Sequence, residues 1–279
     1  MIESRKETFL HYLRQHPEWN KPQSEEFYLQ LVKDSGTYEY PWKSQFEGKT
    51  AEMIFSEKLS EYIKENYRVL DVGCGHGKFT NQLGTGAKEV IGIDITEGFI
   101  NTANRNNLRN NVRYLVVDAS GQLPFPDNYF DLIYTKKGPW LYREANRIAK
   151  PGAMVMGLYP GRTDGGLRDL FSNLYDPLPH NPFDKEYIMN LWRFKDSVGL
   201  TDYQIQVVEE TEYLKAPEDI LIKRCFGQNE IIKELVWREC LKDVERIFYN
   251  NTTEKGLKVI NYYYLVTSRV GEKGKRIYE

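Results

Sequence analysis

The amino-acid sequence predicts an α/β protein in which helices cover both faces of a mostly parallel sheet of seven strands. Two observations predict this class. From residue 51 onward, short runs rich in β-branched and aromatic residues alternate with segments of helical periodicity, which is typical of parallel sheets. A glycine-rich turn at residues 71–77 follows the first of these runs, where a strand would pass into a helix.

Residues 1–50 are predicted to form a helical extension ahead of the sheet. Phe27 and Leu31 have the i,i+4 spacing of an amphipathic helix, which we expect to end near Gly36. The aromatic segment 38–42 then breaks the helical spacing. This extension is a candidate lid over a ligand site.

The main domain, residues 51–279, is predicted to alternate strands and helices. The predicted strands are 69–72, 90–94, 112–118, 130–134, 153–158, 203–213 and 259–266. The predicted helices are 51–66, 97–108, 141–149, 187–198 and most of 217–250. Loop-like composition predicts an insertion near 161–185, after the fifth strand, and we expect a second insertion near 215–256, after the sixth.

The composition argues against several classes of protein. The 279 residues include 38 basic and 40 acidic side chains, for a net charge of −2 at pH 7, so no global field would draw the chain to nucleic acid or to an anionic membrane. The start has no apolar leader, and no run approaches the roughly 18 apolar residues of a membrane span. A cytoplasmic location and no membrane partner are therefore expected.

The cysteines and histidines favour neither disulfides nor a metal site. The three cysteines lack a CxxC spacing and fit free thiols in a reducing compartment: Cys74, Cys225 and Cys240. The four histidines lack an HExxH pattern: His11, His16, His76 and His180. We expect no bound metal.

The turn at residues 71–77 reads Asp-Val-Gly-Cys-Gly-His-Gly. Glycines there let the backbone bend sharply and approach a ligand without interference from Cβ. Asp94 ends the next predicted strand, near the spacing of about 20 residues at which an acid accepts hydrogen bonds from ribose hydroxyls. The segment therefore predicts a nucleoside site.

Two other nucleotide-binding interpretations fail on the sequence itself. A GxxxxGK[ST] phosphate loop ending at Gly77 and Lys78 would need glycine where Val72 stands and a hydroxyl residue where Phe79 stands. A dinucleotide fingerprint needs GxGxxG, but here the third glycine comes one residue early, and the chain has no Tyr-x-x-x-Lys pair. An oxidoreductase is therefore disfavoured.

The chain resembles the class I S-adenosylmethionine-dependent methyltransferases, within the broad group similar to ubiquinone and menaquinone biosynthesis enzymes. Residues 69–160 carry the resemblance. The matching segments are 69–77, 92–94, 117–119, 123–131 and the spaced residues Glu144, Arg147, Lys150, Pro151 and Gly152. Together these segments specify cofactor and fold, and they say almost nothing about the methyl acceptor.

The resemblance implies a seven-stranded, Rossmann-like sheet whose last strand inserts antiparallel. It also implies S-adenosylmethionine as the cofactor and S-adenosylhomocysteine as its product. The residues it assigns to the cofactor are Asp71, Gly73, Cys74, Gly75, Gly77, Asp94, Ile95, Asp118, Ala119 and Thr135. Asp94 would bind the ribose hydroxyls and Asp118 the adenine amino group, with Leu123 as a further apolar neighbour. Asp71 would suit the cofactor's sulfonium and ammonium, or it would hydrogen-bond loop amides.

The turn after the fourth strand should face the methyl acceptor, since ligands of open α/β sheets bind at the carboxyl ends of strands. Candidates on the acceptor side are Thr135, Lys136 and Trp140. Lys136 and Lys137 could contact an anionic substrate or form a solvated turn. Arg143, Arg147 and Lys150 have helical spacing and predict an exposed helix face, with an RNA-contacting patch as the alternative. No catalytic base stands out.

A methyltransferase acting on a small molecule is the function we favour, because the net charge is near neutral and the chain has 20 tyrosines. An RNA or protein acceptor is the second hypothesis. The turn after the fourth strand lacks the Asn/Asp-Pro-Pro-Tyr/Phe motif of many nucleic-acid amino methyltransferases, so nucleic acid is not favoured. A protein that binds the cofactor without catalysis is the third hypothesis.

Overall fold

A computed structural model describes residues 8–139, 142–161, 164–175, 181, 183 and 199–271. The chain divides into two compact units. The helical unit comprises the described residues of Met1–Thr50, Arg162–Asn181 and Glu209–Tyr262. The sheet unit comprises the described residues of Ala51–Gly161, Pro182–Val208 and Tyr263–Glu279. The predicted extension 1–50 thus shares a unit with segments of both predicted insertions.

The helices and strands are numbered separately in chain order. The described helices are α1 (Phe9–Gln15), α2 (Glu25–Asp34), α3 (Ala51–Tyr62), α4 (Lys78–Leu83), α5 (Glu97–Asn106), α6 (Tyr142–Ile148), α7 (Leu167–Leu170), α8 (Pro217–Arg224) and α9 (Glu230–Asn251). The described strands are β1 (Ser44–Glu47), β2 (Arg68–Val72), β3 (Glu89–Asp94), β4 (Val112–Val116), β5 (Phe130–Lys136), β6 (Ala149–Pro160), β7 (Leu200–Leu214) and β8 (Leu257–Val270).

The described strands form one sheet in the order β1-β7-β8-β6-β5-β2-β3-β4. β2 pairs in parallel with β3 and with β5. β4 extends the parallel pairing beyond β3, and β6 extends it beyond β5. The last strand, β8, runs antiparallel to β6. The mostly parallel α/β sheet expected from the sequence is confirmed.

The sheet has eight strands among the described residues, one more than the seven that the sequence predicted. The additional strand is β1, which pairs antiparallel with the end of β7, so that Ser44 lies opposite Leu214. Its sequence, Ser-Gln-Phe-Glu, is mostly exposed and has no β-branched residue. No local pattern therefore marks this segment as a strand.

Successive residues of the strands in the sheet unit face two separate cores. Val69 packs in one core with Phe55 of α3, whereas Leu70 and Val72 pack in the other with Ile148 of α6. Neighbouring side chains of a strand point to opposite faces of a sheet. Helices therefore cover both faces, as the sequence predicted.

The helical unit has a core of its own, to which α1, α7, α8 and α9 contribute. Leu13, Ile220 and Val236 are fully buried there. The helical segment predicted over 217–250 is two helices, because the chain turns between α8 and α9, where Gly227 has φ of 74°. The seven residues of α1 are too few to show helical periodicity, and the sequence did not predict this helix.

The predicted helix at 187–198 and the position of Trp140 fall outside the described residues, as does part of the insertion predicted near 161–185. No helix in the described part of the chain combines the length and apolar character needed to cross a bilayer. The lid role of residues 1–50 and the cytoplasmic location stay predictions.

Candidate cofactor and acceptor site

The glycine turn after β2 is built from residues in the left-handed region. Gly73, Gly75 and Gly77 have φ of 75°, 55° and 77°. The amides of Gly73 and Cys74 donate to the carbonyl oxygen of Ile93, at 2.8 and 3.0 Å, which ties the turn to β3. A Cβ on Gly77 would lie 2.6 Å from the ring of Tyr114. Both backbone conformation and close packing therefore require glycine there.

Asp94 is fixed beside this turn by two backbone amides. Its Oδ2 accepts a hydrogen bond from Gly75 N at 2.9 Å, and its Oδ1 accepts one from Thr96 N, also at 2.9 Å. A carboxylate oxygen has two lone pairs, so each oxygen can accept a further donor. The carboxylate is thus oriented at the carboxyl end of β3 and can receive hydroxyl groups.

Ile95 follows Asp94 and is exposed at 59%. The next strand comes close at the same edge, because Val117 N donates to the carbonyl oxygen of Asp94 at 2.9 Å. An exposed apolar side chain beside an oriented acid is a suitable surface for an aromatic ring.

Asp118 is exposed, and Ser120 is its partner: the amide and the hydroxyl of Ser120 each donate to it, at 2.8 Å. The backbone hydrogen bond from Ser120 and then its hydroxyl lower the pKa of the Asp118 carboxyl. Ala119 packs at the edge of a core in the sheet unit, whereas Leu123 is fully part of that core. Leu123 is therefore a core residue.

Asp71 is 2% exposed and accepts hydrogen bonds on Oδ2 from two hydroxyls, Thr80 Oγ1 at 2.7 Å and Tyr134 OH at 2.8 Å. Burial raises the pKa of Asp71 to about 6, and the two hydroxyl hydrogen bonds oppose that rise. These hydroxyls, on α4 and β5, are partners that the sequence did not suggest for Asp71.

Thr135 directly follows Tyr134, the last residue of β5 that pairs with β2. It is 3% exposed, and its hydroxyl oxygen has no hydrogen-bond partner in the described part of the chain. A Cβ on Gly138 would lie 2.5 Å from this oxygen and 2.6 Å from the carbonyl oxygen of Val72. The turn after β5 thus packs closely against the glycine turn after β2.

Lys136 and Lys137 share one carboxylate. Lys136 Nζ lies 3.1 Å from Glu52 Oε2, and Lys137 Nζ lies 3.1 Å from Glu52 Oε1. Burial raises the pKa of Glu52, but the two ammonium groups outweigh it, so that the pKa lies below its usual value. The pair is therefore an ordered ion cluster and not a solvated turn.

Arg147 and Lys150 differ from the exposed helix face that their spacing suggested. Arg147 contacts Glu144 and donates to the carbonyl oxygens of Leu123 and Phe125, at 2.8 and 2.7 Å. Lys150 is paired with Asp131. Arg147 thus fixes the loop ahead of β5, because it satisfies backbone carbonyls that no strand pairs. The helical spacing could not show these partners, which come from other segments.

Cys74 lies within the glycine turn with its side chain partly buried. Burial, together with the acids Asp71 and Asp94, raises the pKa of its thiol well above the usual value, so the thiol stays protonated at neutral pH. Within the described ranges, no three histidine, cysteine or acidic residues cluster as metal ligands do.

Most predicted site residues come together at the carboxyl ends of four neighbouring strands, β5, β2, β3 and β4. The sequence missed Glu52, Thr80 and Tyr134 as contacts of this site. Tyr134 lies opposite Asp71 in the pairing of β2 with β5. That register could have identified Tyr134, but the strand order that sets it is not a local property of the sequence.

Comparison with known proteins identifies a domain in part of the chain. A protein family described as "Methyltransferase domain" matches residues 69–152. A malonyl-[acyl-carrier protein] O-methyltransferase of Erwinia pyrifoliae is 32% identical over 123 residues, 41% of this chain and 45% of the relative. The ubiquinone/menaquinone biosynthesis C-methyltransferase UbiE of Burkholderia orbicola is 31% identical over 165 residues, 54% of this chain and 60% of the relative. The match thus spans less than two thirds of either relative.

A solved structure shares the fold. A protein of unknown function from Deinococcus radiodurans R1 superposes with a TM-score of 0.58 at 21% identity, covering 88% of this chain and 99% of that one. The α/β fold predicted from the glycine turn and the strand pattern is therefore confirmed. Residues 69–152 of this chain therefore match a methyltransferase domain.

Proposed function

We propose that this chain is a methyltransferase that uses S-adenosylmethionine to methylate a small-molecule acceptor. The observation that carries the proposal is the carboxylate of Asp94, which two backbone amides orient beside the glycine turn. This carboxylate can accept hydrogen bonds from both hydroxyls of a ribose. The exposed Ile95 next to it suits the apolar face of an adenine ring.

Other residues of the sheet unit fit the same cofactor. The glycine turn would let the methionine portion approach the backbone, and the buried Thr135 hydroxyl is a polar group whose partner a ligand would supply. Asp71 would place negative charge behind the turn, which favours a ligand that carries a sulfonium and an ammonium. When bound, the cofactor would supply an electrophilic methyl group. An electron pair of the acceptor would form the new bond to this methyl group, while the bond between methyl and sulfur breaks and leaves its electrons on sulfur.

The chain's own contribution to such a reaction would be to position the acceptor and to exclude water. A general base is needed only if the acceptor atom carries a proton, and none of the described residues at the carboxyl edge of the sheet stands out as one. The turn after β5 is the part of the sheet unit best placed to contact the acceptor, because it packs against the glycine turn.

A small-molecule acceptor has two lines of support. Arg147 and Lys150 make hydrogen bonds and ion pairs within the chain, which disfavours a basic face for RNA. The relative named a ubiquinone/menaquinone C-methyltransferase acts, by its name, in the biosynthesis of small molecules. The alternatives are RNA or protein methylation, and cofactor binding without catalysis.

The first test is cofactor binding, measured by isothermal titration with S-adenosylhomocysteine. Asp94→Ala should weaken binding at least about tenfold, since each hydrogen bond to a charged group contributes about 1.5–3 kcal/mol. The control is Asp127→Ala, which removes an acid that is 65% exposed and pairs with Arg147. Equal affinities of wild type and Asp94→Ala would show that the ribose site is misplaced.

The second test separates the acceptor classes. The protein is incubated with cofactor carrying a labelled methyl group and with cell extract, either untreated or treated with ribonuclease or with protease. We expect label in a low-mass fraction that neither treatment changes. Label that ribonuclease or protease removes from a high-mass fraction would contradict a small-molecule acceptor. Cofactor binding with no labelled product in any extract would favour a binding protein without catalytic activity.

A further inference from the structure

The turn after β5, residues 137–139, lies directly on the first glycine of the turn after β2. A Cβ on Gly73 would lie 2.9 Å from Cδ of Pro139 and 3.1 Å from Cα of Gly138. Carbon atoms in contact are ordinarily about 3.5–4.0 Å apart, so this side of Gly73 has no room for one further atom. While the two turns are in contact, a ligand cannot reach Gly73 from that side.

The same contact covers the hydroxyl of Thr135. A Cβ on Gly138 would lie 2.5 Å from Thr135 Oγ1. This oxygen is enclosed, and it has no hydrogen-bond partner among the residues that the structure describes. Burial of a hydroxyl without a partner is unfavourable, because the group loses its hydrogen bonds to water. Withdrawal of Gly138 would let water or a ligand reach this hydroxyl.

Lys137 begins the turn in a backbone conformation that a lysine rarely adopts. Its φ is 60°, in the left-handed region, which is unfavourable for a residue with a Cβ. Its amide donates to the carbonyl oxygen of Leu158 at 2.8 Å. Rotation of φ to a negative value would leave this amide in place, but it would carry Gly138 and Pro139 away from their present position. Lys137 is therefore a hinge under strain.

Glu52 of α3 holds Lys137 in this conformation. Its Oε1 lies 3.1 Å from Lys137 Nζ, and its Oε2 lies 3.1 Å from Lys136 Nζ. Lys136 is fixed in the sheet opposite Leu158, whereas rotation of φ at Lys137 would redirect the Lys137 side chain away from Glu52. The ring of Tyr263, whose centre is 5.2 Å from Lys137 Nζ, adds to the attraction. The ion pair of Glu52 with Lys137 therefore opposes the rotation.

We propose that residues 137–139 form a strap that closes the glycine turn, and that the cofactor binds only after this strap has withdrawn. The inference rests on the proposed function, in which the methionine portion of the cofactor approaches the glycine backbone. The unsatisfied hydroxyl of Thr135 and the strain at Lys137 favour withdrawal. The ion pair with Glu52 favours closure, so Glu52 sets the fraction of molecules that can bind the cofactor.

Such a strap has a kinetic signature. If only the open form binds, the affinity for the cofactor is reduced by the fraction of molecules that are open. The association rate falls by the same fraction, whereas the dissociation rate of the bound ligand is unchanged. A variant that weakens the ion pair of Glu52 should therefore lower the Kd through faster association alone.

The test uses S-adenosylhomocysteine, whose positive and negative charges balance at neutral pH, so that a change of charge at position 52 does not steer it. Isothermal titration gives the Kd, and rapid filtration after a chase with unlabelled ligand gives the dissociation rate of labelled ligand. Glu52→Gln should lower the Kd about fivefold, the effect of one unit charge at about 4 Å in water, with the dissociation rate unchanged. The matched control is Glu61→Gln, the same substitution at an exposed position of α3, which should bind as the wild type does.

A double-mutant cycle shows whether Glu52 acts through Lys137. Lys137→Met breaks the same ion pair from the other side and should also lower the Kd, whereas Lys137→Arg keeps the charge and should bind as the wild type does. The variant that carries both Glu52→Gln and Lys137→Met should bind no more tightly than the tighter of the two single variants, because one ion pair is lost only once. Additive gains would contradict the strap.

The results separate the strap from the function on which it rests. If S-adenosylhomocysteine binds neither the wild type nor Glu52→Gln, the proposed function fails. If it binds both with the same Kd, or binds Glu52→Gln more weakly, only the strap is overturned. The strap is also overturned if Glu61→Gln behaves as Glu52→Gln does, or if the gain in affinity comes from slower dissociation, which a direct contact with the ligand would produce.

Discussion

At the scale of the residue, Asp71 shows how burial changes the chemistry of an acid. Its carboxylate is enclosed, and only the hydroxyls of Thr80 and Tyr134 are seen to donate to its Oδ2 among the described residues. Burial raises its pKa from 3.8 to about 6. The folded protein therefore binds this proton more tightly than the unfolded chain does, and the stability gained from it is lost as the pH rises through about 4 to 6.

Asp71→Asn should remove this pH dependence. An amide oxygen can still accept the two hydroxyl hydrogen bonds, but it carries no charge to bury. Relative to that of wild type, the variant's free energy of unfolding should increase, meaning greater stability, by about 1 kcal/mol between pH 5 and pH 7.5. Urea unfolding at both pH values measures this, with Asp127→Asn as the exposed control. A difference between variant and wild type that is constant with pH would contradict the shifted pKa.

Two glycines in this chain allow the cost of backbone strain to be measured apart from the cost of crowding a Cβ. Gly77 and Gly152 both have φ of 77°, but a Cβ on Gly77 would lie 2.6 Å from Tyr114, whereas one on Gly152 would have nothing within 4 Å. Gly152→Ala should cost about 1–2 kcal/mol. Gly77→Ala should cost about 1–3 kcal/mol more, because it also overpacks. Urea unfolding measures the free energy of unfolding of both variants. Equal losses of stability would show that crowding against Tyr114 does not contribute at Gly77.

At the scale of the element, caps and pairing decide where helices and strands begin. Asn229 caps α9, since its side chain accepts a hydrogen bond from Ile232 N at 3.1 Å. β1, in contrast, has no such local signal, and its position depends on pairing with β7. The helix start is therefore a property of a few adjacent residues, whereas the strand is a property of the assembled sheet.

Asn229→Ala should destabilise the helical unit by about 1 kcal/mol, because an amide at the first turn of α9 loses its acceptor. Asn229→Asp should keep most of the stability, since aspartate caps equally well. Urea unfolding followed by circular dichroism measures both variants. If Asn229→Asp lost as much as Asn229→Ala, the contact of Asn229 Nδ2 with Glu18, and not the cap, would account for the effect.

At the scale of the whole molecule, the chain is two compact units, and the residues assigned to the cofactor lie in the sheet unit. Cofactor binding should therefore stabilise that unit by mass action. With S-adenosylhomocysteine at 100 times its Kd, the free energy of unfolding should rise by about 2.7 kcal/mol. Urea titrations with and without ligand measure the change. No increase at that concentration would contradict binding to the folded state.

The sequence by itself determined the α/β class, seven of the strands, the glycine turn and the position of Asp94. These follow from local rules, because strand alternation has a period of two, helices have a period of 3.6, and left-handed turns need glycine. The tertiary structure alone decided which side chains meet. Tyr134 reaches Asp71 across 63 residues and Lys136 reaches Glu52 across 84. β1 joins β7. Such contacts depend on strand order and register, which arise from packing the whole sheet unit or helical unit and leave no pattern in neighbouring residues.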